Sequence, residues 1–114
     1  MAKLLDVWPD GFSQRLSDGM VRARFRDGME KPAAVEPGRV YPLDVDVWNT
    51  CQLFKARHRI RLELASSAFP KYDRNPSTGE PLGKTTRLET SEQKIFHDRE
   101  HPSQVVLPIV PRKP

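Results

Sequence analysis

The sequence has one cysteine, no long apolar run and no long block of like charge, and each absence excludes a class of protein. Cys51 alone cannot form an intrachain disulfide, so a disulfide-rich scaffold is excluded and nothing requires an oxidising compartment. No apolar stretch approaches the roughly 18 residues of a membrane span, and the N-terminus lacks the apolar core of a signal peptide. We therefore expect a soluble chain without a membrane partner, which favours the cytoplasm, and we expect Cys51 to be a small buried hydrophobic residue.

The charge distribution argues against nucleic acid as a partner. The 19 Lys and Arg residues are interleaved with 15 Asp and Glu residues, for a net charge of +4. A nucleic-acid-binding surface concentrates its cations on one face or in one block, and no block of five or six like charges occurs here. We therefore expect no nucleic-acid partner.

The sequence also lacks the uninterrupted periodicity of long helices. Eleven prolines and six glycines are spread along the chain rather than clustered, which favours short strands and tight turns. Leu, Ile, Val and Phe make up about a quarter of the residues, above the ~20% below which disorder becomes common. We therefore expect residues 1–114 to form a single β-sandwich domain or the carboxyl-terminal part of one.

Alternation of polar and apolar side chains gives the strand prediction. The clearest case is residues 55–64, where His58, Ile60 and Leu62 alternate with arginines. In total, strands are predicted over residues 3–8, 20–26, 40–48, 55–64, 93–97 and 103–110. Turns or loops are predicted at residues 9–11, 17–19 and 27–38.

Strands with one apolar face need a second layer to cover that face. The predicted fold is therefore all-β: an antiparallel β-sandwich or half of one. Because the first strand begins almost at residue 1, it looks like the continuation of a sheet whose earlier strands are absent. An exposed sheet edge would then let the chain form a homo-oligomer.

No catalytic, metal or cofactor site follows from motif spacing. The nearest match to a Gly-x-Ser-x-Gly elbow, residues 11–15, lacks the second glycine that exposes the serine. His58, His97 and His101 have no metal-ligand spacing with one another or with Cys51, and the phosphate-binding glycine motifs are missing. We therefore predict no catalytic residue, metal ligand or cofactor in this chain, and we interpret His58 as a half-buried strand residue.

Two clusters are candidates for binding another protein domain. The first is one face of the strand predicted over residues 20–26, which carries Arg22, Arg24 and Arg26. Three guanidinium groups on one face repel one another unless carboxylates such as Asp44 and Asp46 lie opposite or a partner covers them.

The second cluster is a loop that contains Phe69, Tyr72, Asp73, Arg74 and Asn75. In one interpretation, the Asp73 and Asn75 side chains cap turns of their own backbone. In the other, the loop docks onto the surface of a partner.

Several strings of the sequence occur in an order that resembles one known family. They are residues 6–11 (DVWPDG), 18–26 (DGMVRARFR), 36–38 (EPG), 58–62 (HRIRL), 69–79 (FPKYDRNPSTG) and 101–108 (HPSQVVLP). The chain resembles the C-terminal domain of the cocaine-esterase-like and X-prolyl dipeptidyl-peptidase serine hydrolases. The string at residues 69–79 is the most specific of the set.

The resemblance implies a jelly-roll, galactose-binding-like β-sandwich that is non-catalytic, and it implies that only the carboxyl half is present. Its expected partner is the α/β-hydrolase catalytic domain, in the same or a separate chain, where the Ser-His-Asp triad resides. In the family this domain braces the fold and helps to wall the active-site cleft. From the residues alone, the alternative is a stand-alone jelly-roll binding module for carbohydrate or protein.

Two positions depart from the family pattern. Relatives usually have Gly just before the HRIR string, where the turn favours a positive φ. Arg57 stands there instead, at a cost of about 1 kcal/mol if that conformation is kept. Relatives also tend to have Asn where this chain has Ala68, whose side chain cannot bond to the loop backbone.

Overall fold

One antiparallel sheet forms the ordered centre of the molecule. The computed structural model describes residues 1–81 and 83–111. Its strands are β1 (Ala2–Val7), β2 (Ser13–Gly19) and β3 (Arg59–Leu64), in the order β2-β1-β3, and one turn of 3₁₀ helix spans Ala23–Phe25. The prediction of an all-β, antiparallel fold is confirmed, and this single sheet is consistent with part of a β-sandwich.

β1 is the central strand and contains the core. Leu4 is only 2% exposed, and Ala2, Leu5 and Val7 are also buried. Because the side chains of a strand alternate between its two faces, these four residues bury both faces of β1. A strand that is buried on both faces has a nearly continuous apolar sequence, as the string LLDV shows apart from its aspartate.

A tight hairpin joins β1 to β2, as predicted for residues 9–11. The Trp8 amide donates to the Phe12 carbonyl at 2.8 Å, and the Gly11 amide donates to the Trp8 carbonyl at 3.0 Å. Gly11 has φ +94°, which an L side chain rarely adopts. The Asp10 carboxylate accepts a further bond from the Phe12 amide at 3.0 Å.

The loop predicted at residues 17–19 is wrong, because these residues end β2. β2 pairs with β1 along its whole length, with a shift of register between Leu4 and Leu5. Its last residue lies against the backbone of a later segment: a Cβ on Gly19 would lie 1.7 Å from the Asp46 carbonyl oxygen. Only glycine allows this segment to approach the sheet so closely.

In the described part of the chain, residues 20–26, 40–48, 93–97 and 103–110 contain no strand, so these four predictions are wrong. In the first of them, local bonds replace a strand ladder. The Arg26 guanidinium donates to the carbonyl oxygens of Ala23 (2.9 Å) and Ala33 (3.0 Å), and the Ala33 amide donates to the Arg24 carbonyl (2.8 Å). Alternating polarity without a neighbouring strand was not enough to form a sheet.

The long irregular segments leave the molecule extended. Its radius of gyration is 16.9 Å, against about 13 Å for a compact domain of roughly this length. Cys51 is exposed, so its predicted burial is wrong. Among the described residues, no helix is both long and apolar enough to cross a membrane.

Candidate docking surface

The loop that the sequence predicts as a docking candidate, residues 69–75 (the docking loop), is fastened to the sheet by an ion pair. Lys71 Nζ donates to a carboxylate oxygen of Asp18, which lies near the end of β2. The same bond lowers the pKa of Asp18 and raises the pKa of Lys71. At the start of the loop, the Tyr72 amide donates to the carbonyl of Ala68, the residue before the loop, at 3.2 Å. The loop is therefore tied to a strand rather than suspended in solvent.

The segment after the docking loop is fastened by Arg24. Its guanidinium donates to the carbonyl oxygens of Gly79 (2.9 Å) and Glu80 (3.4 Å). A guanidinium has five donors in a rigid fork, so one side chain can hold two successive carbonyl groups. Arg24 thus joins the short 3₁₀ turn after β2 to the chain that follows the docking loop.

The two sequence-predicted clusters meet in one cleft. Arg22 lies there with Asp73 and Arg74 of the docking loop, and the cleft has a volume of about 290 Å³. The remaining lining residues are Pro76, Gly83, Thr85 and Leu88. Two guanidinium groups and one carboxylate give the cleft an excess of positive charge.

A second cleft, of about 410 Å³, shares Arg74 with the first. It is lined by Ser67, Phe69 and Arg74. Phe69 is 74% exposed, a large apolar area for a side chain on an anchored loop. Arg74 lines both clefts, so an aromatic ring, a shared arginine and the Arg22 cleft form one continuous surface.

The other residues of the two clusters have different positions. Tyr72 and Asn75 belong to the docking loop but line neither cleft. Asn75 Oδ1 accepts a bond from the Ser77 amide at 3.3 Å, which confirms the predicted cap of its own turn. Asp73 lines the first cleft, and its described contacts do not include a cap of its own turn.

Arg22, Arg24 and Arg26 do not share one strand face, so that prediction is wrong. The residues after β2 form the 3₁₀ turn instead of a strand, and the three side chains have different surroundings: Arg22 lines the first cleft, Arg24 binds the carbonyls of Gly79 and Glu80, and Arg26 binds those of Ala23 and Ala33. Arg26 folds back onto its own segment, with its guanidinium carbon 4.3 Å from the centre of the Tyr41 ring, and its ion pair is with Asp27 rather than with a carboxylate across a sheet. Asp46, one of the predicted partners, instead accepts a bond from the Trp48 amide at 2.7 Å.

A buried polar cluster that sequence reasoning missed lies at one end of the sheet. Asp6, on β1, is 1% exposed. Its carboxylate accepts bonds from His58 Nδ1 (2.8 Å) and Gln52 Nε2 (2.9 Å). The signal in the sequence was an aspartate inside the apolar string LLDV, since a buried carboxylate requires donors.

The Asp6 carboxylate fixes the position of the His58 ring. The side chain of His58 is 9% exposed, and its ring lies 5.4 Å from the Trp8 ring. In the described residues, no hydroxyl or thiol is hydrogen-bonded to His58. The same residues contain no group of three His, Cys, Asp or Glu side chains that could hold a metal ion.

Two comparisons with known proteins find relatives of this chain. Residues 1–106 match the model of a family described as the X-Pro dipeptidyl-peptidase C-terminal non-catalytic domain. The chain is also 42% identical over 113 residues to the cocaine esterase of Rhodococcus sp. (strain MB1 Bresler). That alignment covers 97% of this chain and 20% of the esterase, so the chain spans about a fifth of the length of this relative.

Proposed function

The chain belongs to the family of X-Pro dipeptidyl-peptidase C-terminal non-catalytic domains, and from this premise we propose that it serves as the non-catalytic jelly-roll β-sandwich of an α/β-hydrolase. The enzyme would be an esterase or an X-Pro dipeptidyl peptidase whose Ser-His-Asp triad lies outside the chain. The chain would pack on the catalytic domain and help to shape its active site.

The docking loop and the clefts beside Arg74 support the packing part of this proposal. Aromatic rings and arginines are enriched where protein surfaces bury one another, and they carry much of the binding energy. Phe69 and Arg74 meet that description, and the Lys71–Asp18 ion pair and Arg24 bonds hold their segment in place. An anchored loop loses less conformational entropy on docking than a free one.

The alternative of a stand-alone carbohydrate module gains little support from these clefts. Sugar-binding grooves are lined with exposed aromatic side chains. Within the described residues, the two clefts contain one such ring, Phe69, and Trp8, Tyr41, Trp48 and Tyr72 line neither.

A chimera tests the docking proposal. The chain replaces the segment of the Rhodococcus esterase that it matches, and thermal unfolding and KM for an activated ester are measured. Arg74→Glu and Phe69→Ser should lower the unfolding temperature of the chimera, because each removes a contact with the catalytic domain. Arg99→Glu, a charge reversal at an exposed position that lines neither cleft, is the matched control and should change neither quantity.

The same variants in the isolated chain separate docking from folding. Both side chains are largely solvent-exposed there, so each change should alter the free energy of unfolding by no more than about 0.5 kcal/mol. Equal effects of Arg74→Glu and Arg99→Glu in the chimera would refute the proposed surface. Ester turnover by the isolated chain that His58→Ala abolishes would refute the non-catalytic role.

A further inference from the structure

The charges that line the first cleft do not cancel. Arg22 and Arg74 contribute two guanidinium groups, and Asp73 contributes the one carboxylate. Across residues 1–81 and 83–111, neither guanidinium forms an ion pair or donates a hydrogen bond. The cleft is therefore one negative charge short of neutral, and the donors of both arginines are available to a partner.

The acidic side chains of the adjoining segment are paired elsewhere. Glu80 and Glu89 flank the residues that form the far wall of the cleft. Both carboxylates lie near the guanidinium of Arg87, at 3.9 Å and 3.3 Å. The missing negative charge is therefore not supplied by these two neighbours in the sequence.

Backbone bonds hold the walls of the cleft in place. The Arg22 carbonyl accepts a bond from the Phe25 amide at 2.8 Å, at the start of the 3₁₀ turn. On the far side, the Glu89 amide donates to the Pro76 carbonyl at 2.9 Å and closes the loop that contains Leu88. A cleft that is already formed loses little conformational entropy when a partner enters it.

Docking makes the charge imbalance unfavourable. On an open surface, water solvates both guanidinium groups. A catalytic domain that packs against this surface removes that water, and a guanidinium that is buried without an anionic partner strongly opposes binding. The surface that meets the cleft must then contribute the missing negative charge.

We propose that the side-chain carboxylate of an Asp or Glu on the catalytic domain enters the first cleft and pairs with Arg22 and Arg74. This inference rests on the proposed docking function, to which it adds the chemistry of the partner group. The planar fork of a guanidinium matches the two oxygens of a carboxylate. Leu88 and Pro76 also line the cleft, and they offer apolar contacts to the methylene groups of the incoming side chain.

Zero-length cross-linking of the esterase chimera tests the pairing. A carbodiimide joins an amine directly to a carboxylate that contacts it, so Arg22→Lys keeps the positive charge and makes position 22 reactive. Peptide mapping by mass spectrometry should find position 22 joined to an Asp or Glu of the catalytic domain. Arg99→Lys is the matched control, because Arg99 is exposed and lines neither cleft, and it should give no cross-link to that domain.

Two neutralising variants test the sign of the partner's charge without any cross-linker. Arg22→Gln should lower the unfolding temperature of the chimera, because it removes a partner of the entering carboxylate. Asp73→Asn should raise that temperature, because it removes the carboxylate that competes for the same guanidinium groups. In the isolated chain, where the cleft is open to water, neither variant should have its chimera effect.

The outcomes separate this inference from the docking proposal. A cross-link from position 22 to Asp73 alone, no cross-link to the catalytic domain, or the reverse order of the two neutralising variants would overturn the carboxylate partner. If Phe69→Ser still destabilises the chimera in that case, the docking proposal survives. If Phe69→Ser also has no effect, both proposals are refuted.

Discussion

Arg57 is held in a conformation that glycine adopts more easily, and Arg57→Gly should stabilise the chain. Its φ is +67°, and the His58 amide donates to the Lys55 carbonyl at 3.1 Å across the turn. Arg57 is therefore the third residue of a four-residue turn, the position at which type II turns require a positive φ. Arg57, which stands where relatives usually have glycine, therefore has the backbone strain that the sequence predicts.

The magnitude follows from two opposing terms. An L side chain in the left-handed region costs about 1–2 kcal/mol, which a glycine avoids. Glycine also has greater freedom in the unfolded chain, and this offsets about 0.5–1 kcal/mol of the stability gained. The net stabilisation expected for Arg57→Gly is about 0.5–1 kcal/mol. For a chain of this size, that raises the unfolding temperature by roughly 2–4 °C.

Urea and thermal unfolding, followed by tryptophan fluorescence, measure the effect. Trp8 is the useful probe, because it contacts His58 directly after the turn, whereas Trp48 is 72% exposed. Arg57→Ala is the control: it removes the side chain but keeps the Cβ that causes the strain. The reasoning is refuted if the alanine and glycine variants have the same stability, because the effect would then come from the arginine side chain and not from the backbone.

Three other predictions concern buried or paired groups. A double-mutant cycle of Asp6→Ala and His58→Ala should give a coupling energy of about 1.5–3 kcal/mol, as for a hydrogen bond to a charged group; a value near zero would contradict the geometry. Gly19→Ala should destabilise the chain by about 1–3 kcal/mol in urea unfolding, because the added Cβ overlaps a backbone oxygen 1.7 Å away, and unchanged stability would show that the later segment does not cross β2 there. The bond from Lys71 lowers the pKa of Asp18, so its stabilising contribution is present above the ordinary carboxyl range and is lost as the pH falls through the lowered pKa. Lys71→Met should remove this part of the acid dependence of the urea midpoint, and an unchanged pH profile would argue against the pair.

The elements that sequence reasoning found are those with a strong local signal. β1 and the turn at residues 9–11 combine apolar residues with Pro and Gly at turn positions, and β3 alternates cleanly over the string RIRLEL. β2 could not be found in this way, because its string SQRLSDG has one large apolar side chain. β2 forms because the hairpin holds it against β1, so its formation depends on β1 and not on its own pattern of polar and apolar residues.

The predicted strands that the structure does not contain show the opposite case: a clear local pattern without a pairing partner. Residues 20–26 alternate as well as β3 does, but the bonds of Arg26 and Ala33 close a local turn there. The alternation of polar and apolar side chains indicates which face a strand would bury, but it does not indicate whether a neighbouring strand is there to pair with it.

The candidate site was partly visible in the sequence. Phe69, Asp73 and Arg74 stood out as a dense group of specific residue types in a loop. Their meeting with Arg22 could not be foreseen, because it depends on the bonds from Arg24 to the chain beyond the loop. Those bonds join residues more than fifty positions apart.

Hydrogen exchange at the docking loop tests the central claim, namely that residues 69–75 form the surface that meets the catalytic domain. Exchange is measured by mass spectrometry in the isolated chain and in the esterase chimera under the same conditions. We expect the amides of residues 69–75 to exchange more slowly in the chimera, while those of residues 98–101 exchange equally in both. Equal exchange of residues 69–75 in the two proteins, with new protection elsewhere in the chain, would contradict the account.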